Sequence, residues 1–133
     1  MERGCREMKR KIKFRGKCNG IWRKGDHLTY ADSEVIKQWS GSISPEYTVE
    51  PETVGQFTGE YDMDGTEIYE GDICDVVGTY VVVMWDENYL KLDFFYFDKK
   101  KAVFNFEKGV GKIIKVIGNI FDNPEFLKRG CLE

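Results

Sequence analysis

Proline is scarce in this chain of 133 residues, with three in all, and histidine occurs once, as His27. So little proline beside nine Phe, seven Tyr and three Trp excludes a disordered or low-complexity chain. Long apolar runs are missing as well. None approaches the ~18 residues of a membrane-crossing helix, and no secretory apolar region opens the chain. The expectation is therefore a cytoplasmic protein with neither membrane span nor signal peptide. The four cysteines (Cys5, Cys18, Cys74, Cys131) form no C-x-x-C pair. That removes the ligand spacing of a zinc knuckle and leaves reduced thiols. Neither sign of charge dominates. A net charge of −3, with acids and bases interspersed, denies the chain a global basic field for nucleic acid, though not a local patch. Walker-type and Rossmann-type glycine loops are absent. His27 sits in a Gly-Asp-His turn with no Ser or Cys nucleophile pattern beside it, so a surface role is expected.

What is present centres on Thr58 to Ile73, the densest run of Gly and Asp in the chain. Gly59, Asp62, Asp64, Gly65, Gly71 and Asp72 are read as turn residues, with glycine supplying positive φ at Asp64-Gly65. Glu60, Asp62, Asp64, Gly65 and Thr66 match the start of an EF-hand loop in spacing. The position of the closing bidentate carboxylate is Gly71, however, and the flanks read as strands, so no metal is expected. Glu67, Glu70 and Asp72 could supply a carboxylate pair, but Asp72 is better read as accepting backbone N–H groups at a strand start. No catalytic residue and no cofactor is assigned.

The rest reads as short strands and tight turns. Residues 1–7 show no pattern and are read as a disordered or non-native extension, with Met8 as the natural start. Ile12-Lys13-Phe14-Arg15 alternates apolar and cationic residues, as a half-buried strand does. With Lys9, Arg10 and Lys11 it makes the chain's one basic run. Two readings stand: an edge strand kept soluble by charge, or a grip on nucleic acid. Asn19-Gly20 predicts a hairpin turn, and Gly25-Asp26 a break in its second arm. Residues 33–39 fit a helical turn or a strand. Tyr80 to Trp85 reads as a strand buried on both faces. Gly78-Thr79 predicts a turn. Tyr89 to Phe97 reads as a strand with Leu90, Leu92, Phe94 and Tyr96 on one face. Residues 102–106 and 112–120 read as further strands, Gly118-Asn119 as a turn, and Pro124 to Arg129 as a short helix.

Short strands at roughly ten-residue spacing argue an all-β fold, a small SH3-like antiparallel barrel over 58–121. Residues 8–57 precede it as an N-terminal β extension, and 122–130 follow as a helical turn, within one domain spanning 8–133. Tyr61, Tyr69, Trp85, Tyr89, Phe95 and Phe97 cannot all face inward in so small a barrel. Tyr89, Phe95 and Phe97 are the expected interaction surface, for self-association or for base stacking.

Thr58-Gly59-x-x-Asp62-x-x-Gly65-x-x-Ile68-Tyr69-Glu70-Gly71-Asp72-Ile73 resembles the signature of the YopX family of phage and prophage proteins. Ile12–Gly16, Val49–Phe57 and Val116–Glu125 agree with the family in order. Glu60-Tyr61 departs from its usual apolar residue and lysine. The resemblance implies a mainly β protein of a mobile element, and it implies no catalytic residues. The combined expectation is a non-enzymatic binding or assembly module. It would be homo-oligomeric or bound to a host or phage protein. The alternative is a nucleic-acid accessory protein using Lys9, Arg10, Lys11, Lys13 and Arg15.

Overall fold

A computed structural model describes residues 12–102 and 109–126. Its strands fall into two antiparallel sheets, and the chain divides into two compact units, Met1–Gly59 and Glu60–Glu133. Among the described residues no helix is long and apolar enough to cross a membrane.

The first unit holds β1 (Phe14–Cys18), β2 (Ile21–Tyr30), β3 (Ser33–Lys37), β4 (Glu46–Val49) and the start of β5 (Gly55–Tyr61). Their order is β4-β3-β2-β1-β5. Asn19 (φ 53°) and Gly20 (φ 81°) make the tight turn that the sequence announces. Within the ambiguous residues 33–39, Ser33–Lys37 form strand β3. Gly25 does not break the second arm, because β2 runs ten residues through it. A Cβ there would stand 2.3 Å from the Lys37 carbonyl oxygen, so the glycine serves a close approach of β3. Gly16 likewise leaves room for the Val49 side chain. The sheet coils until the chain after β4 reaches β1. There the Glu50 N–H donates to the Lys17 carbonyl, and Thr53 Oγ1 accepts the Lys17 N–H. Val35, Ile36, Val49 and Phe57 are buried in this unit.

The second unit holds the end of β5, its hairpin neighbour β6 (Glu67–Tyr69), β7 (Asp72–Val76), β8 (Thr79–Asp86), β9 (Lys91–Phe95) and β10 (Ile114–Asn119). The last four form a sheet ordered β10-β7-β8-β9. Its core is Ile68, Cys74, Val76, Val81, Val83, Phe94, Ala102 and Ile114. Burying a side chain such as Phe94 contributes about 2–3 kcal/mol. Val81, Val82 and Val83 are all buried, which is why the centre of β8 is apolar without alternation.

Several expectations are corrected here. The second unit is an all-β structure, but its sheet is open and does not close into an SH3-like barrel. The outer edge of β10 meets a turn instead of a strand: the Met63 N–H donates to the Ile114 carbonyl, and the Val116 N–H donates to Asp62 Oδ2. At the other edge, β9 is met by the short return through Lys101. Leu90 does not belong to β9. It has φ 54° in the turn and is exposed. The turn before β8 centres on Val77 (φ 49°) and Gly78 (φ 88°), one residue early, and Asp75 Oδ1 accepts the Gly78 N–H. Residues 110–113 form a 3₁₀ turn, so the last strand starts at Ile114. No C-terminal helix forms among the described residues, where helical backbone is confined to Glu125 and Phe126. Residues 127–130 of that expected helix and 103–106 of the expected strand lie outside the described residues.

Candidate functional site

The Gly and Asp residues of the central stretch hold backbone. Asp62 Oδ1 accepts the N–H groups of Asp64 (2.8 Å) and Thr66 (2.9 Å), closing the turn around Gly65 (φ 84°). Asp62 Oδ2 accepts Val116 N–H at 2.9 Å, fifty-four positions along the chain. Burial opposes the charge of Asp62. The three backbone donors and nearby Lys115 outweigh that opposition and hold its pKa below the usual carboxylate value. Asp64 pairs with Lys115 at 2.7 Å. Asp72 is buried and accepts the Tyr69 N–H at 2.7 Å, while the Tyr69 hydroxyl donates to Glu67. Gly71 (φ 93°) joins two strands, donating to the Val83 carbonyl and accepting from Ile120 N–H. Gly59 (φ 91°) lets β5 bend at an exposed position.

Gly118 and Asn119, expected to form a turn, instead end strand β10, and Asn119 holds the turn that follows it. Asn119 Oδ1 accepts the N–H groups of Phe121 and Asp122, and its own N–H donates to Asn123 Oδ1. Gly118 leaves room for Asn123 beneath it, since a Cβ would stand 2.5 Å from Asn123 Oδ1 and that side chain would have to shift. An open cleft of about 390 Å³ lies between Glu60–Met63 and Gly109–Lys112. Asp62, one of its two carboxylates, is committed to backbone donors, so the cleft offers no facing carboxylate pair. Among the described residues no three His, Cys, Asp or Glu side chains converge on a metal position.

Three thiol, imidazole and ion-pair environments complete the chemistry. Cys74 is buried and its thiol is pushed up by that burial, with Asp72 and Asp62 adding to it, so it is no nucleophile. His27 Nε2 lies 2.5 Å from Glu34 Oε1, and this bond is the main cause that lowers the Glu34 pKa. Asp93 is a residue sequence reasoning missed. It is fully buried in β9, with the Lys101 ammonium 3.0 Å and the Lys91 ammonium 3.6 Å away. Lys101 also reaches Asp86 at 3.2 Å and lies over the Tyr89 ring. Its pKa is raised chiefly by Asp93. The only signal available was a carboxylate in a strand flanked by lysines.

The basic run does not lie on an edge. β1 pairs with β2 on one side and β5 on the other. Lys13, Arg15 and Lys17 alternate along it and so share one sheet face with Trp22 and Lys24 of β2 and Phe57 of β5. The Arg15 guanidinium lies 4.4 Å from the Trp22 ring centroid, the Lys17 ammonium 5.6 Å from the same ring, and the Lys13 ammonium 5.5 Å from that of Phe57. Arg15 is buried, whereas Lys13, Lys17 and Trp22 are half-buried and Lys24 is exposed. Lys9, Arg10 and Lys11 lie outside the described residues.

The expected aromatic platform is dispersed. Tyr69 is buried, Phe95 and Phe97 are half-buried, and Tyr61, Trp85 and Tyr89 are exposed. Trp85 pairs across with Leu92, and Phe95 with Val82, which puts them on opposite faces of the sheet. The structure instead gathers exposure at the β8–β9 hairpin, where Trp85 is 44%, Tyr89 67% and Leu90 73% exposed.

The profile of the YopX protein family matches residues 13–128, nearly the whole described chain. The chain belongs to the YopX family. The turn-forming residues of its signature are thus the ones that tie β5, β6, β7 and β10 together. No curated protein sequence matches the chain. The crystal structure of protein EF1440 from Enterococcus faecalis is similar, with a TM-score of 0.54 and 21% identity, covering 90% of this chain and 99% of that one. At that identity the likeness speaks for the fold alone.

Proposed function

We propose that this YopX-family chain is a non-enzymatic binding and assembly module of phage or prophage origin, acting in the cytoplasm through protein–protein contacts, first of all with copies of itself. The observation that carries the reading is the β8–β9 hairpin. Three large apolar or aromatic side chains within six residues stand 44–73% exposed there, on a hairpin anchored by the buried Asp93. Single exposed apolar residues are ordinary, but three close together in one hairpin favour a contact surface. The non-enzymatic part is supported by the use of Asp62, Asp72 and Asp86 to accept backbone hydrogen bonds.

Size-exclusion chromatography with light scattering tests it. The expected result is a discrete species larger than the 15.5 kDa protomer at micromolar concentration. Trp85→Ser combined with Leu90→Glu is expected to return it to the protomer mass with an unchanged circular dichroism spectrum. A protomer-sized wild type across that range, or an oligomer indifferent to both substitutions, overturns the reading.

A further inference from the structure

We propose that Lys101 is the positioning residue of the hairpin contact: its ammonium sets Tyr89 and the β8–β9 tip in the shape that a second copy of the chain meets. The inference rests on the self-association reading and adds to it the residue that shapes the surface. The tip, residues 87–90, is polar apart from Tyr89 and Leu90, and Tyr89 is 67% exposed. Packing does not settle the rotamer of a side chain so exposed. The Lys101 ammonium does, 4.4 Å from the ring centroid. That ammonium is itself fixed. It lies 3.0 Å from the carboxylate of Asp93, buried in β9, and 3.2 Å from that of Asp86, whose other oxygen accepts the Asn88 and Tyr89 N–H groups of the tip. The Lys101 backbone bridges to Phe95, and the Ala102 N–H beside it donates to the Phe94 carbonyl at 3.0 Å. One side chain therefore ties strand β9, the backbone of the tip and the tip's aromatic ring together.

A purely structural role for Lys101 would be to neutralise the two carboxylates. Both keep partners without it. Asp86 accepts the two tip N–H groups, and Asp93 accepts the Phe94 N–H at 3.0 Å with the Lys91 ammonium 3.6 Å away. What Lys101 adds to these is the tie to Tyr89. The tie orders the ring in the protomer, before association. A side chain that is ordered only on binding weakens a contact by about two- to twelvefold. A closed species of identical copies uses the same patch twice, so two Tyr89 rings are ordered in advance. Arginine can take the place of Lys101, because a guanidinium pairs with carboxylates and stacks on aromatic faces. Methionine fills similar space without the charge.

Sedimentation velocity over a dilution series of the full chain measures the dissociation constant of the self-associated species. Lys101→Met is expected to raise it at least about fivefold, and Lys101→Arg to keep it within about twofold of wild type. In a Tyr89→Leu background Lys101→Met should add little, which closes a double-mutant cycle on the pair. Lys101→Gln replaces Lys101→Met if circular dichroism shows the latter unfolded. NMR reads the tie independently of association: the Lys101 methylene protons should be shifted upfield by the Tyr89 ring in the dilute protomer, and not in Tyr89→Leu. An unshifted Lys101, a dissociation constant indifferent to its replacement, or an equal loss in the Tyr89→Leu background overturns the positioning role and leaves self-association standing. A wild type that stays protomer-sized overturns self-association and this inference with it.

Discussion

Replacing Asp62 with alanine is expected to lower the stability of the second unit by about 3 kcal/mol and its melting temperature by roughly 12–24 °C, as read by thermal unfolding followed by circular dichroism. One carboxylate accepts three backbone N–H groups, two within its own turn and one from Val116 on β10. Hydrogen bonds to a charged acceptor contribute about 1.5–3 kcal/mol each, and three sharing one side chain do not add. Water can replace the two turn bonds at this exposed loop. It replaces the third less well, because the Val116 N–H belongs to a packed strand. Asp62→Asn separates the contributions. If its oxygen keeps the turn, its amide group faces the Val116 N–H donor to donor. The expected loss is about 2 kcal/mol.

The pH dependence has a definite sign. The folded pKa of Asp62 lies below its ordinary value, so its contribution is fully present above the ordinary carboxylate pKa. It is lost as pH falls through the lowered folded value. The gap between wild type and Asp62→Ala should therefore be constant near neutrality and shrink in acid. An equal gap at all pH values would mean that the carboxylate charge does not carry the effect.

The same residue shows where the sequence was legible. Asp62, Gly65, Gly71 and Asp72 could be read as backbone-directing residues because positive φ and short-range acceptance are local demands. Asn19-Gly20 is legible for the same reason. The bond from Asp62 to Val116 is not local, and no pattern within the turn announces it. The β10 edge is met by that turn rather than by a strand, which strand spacing alone does not reveal, so a reading built on spacing arrived at a barrel. β1 was misplaced in the same way, since alternation tells which face a residue takes and not whether the strand has one neighbour or two. Asp93 was not singled out, because its burial depends on Lys101 returning beside β9. The hairpin cluster was half legible: Tyr89 was expected at the surface, while alternation placed Leu90 in the strand, on one face with Leu92, Phe94 and Tyr96. Its positive φ in the turn takes it out of that alternation.

The larger expected effect belongs to Gly111→Ala, with a loss of about 4 kcal/mol or more, or failure to fold. Gly111 is buried in the 3₁₀ turn that leads into β10. An added Cβ would stand 1.8 Å from the Tyr61 carbonyl oxygen and 3.0 Å from its carbon. Both atoms are backbone, so no rotamer change relieves the overlap. The turn would have to move away from the end of β5. That movement strains the Met63 N–H bond to the Ile114 carbonyl and, through it, the Val116 bond to Asp62. Gly109→Ala is the matched control. Gly109 has φ 89° with nothing within 4 Å of a new Cβ, so only the backbone conformation is penalised, at about 1–3 kcal/mol. Urea unfolding of the two variants should rank them in that order. A Gly111→Ala protein as stable as Gly109→Ala would show that the turn yields without resistance. The junction of the family signature with β10 would then not be the rigid point on which the second unit is built.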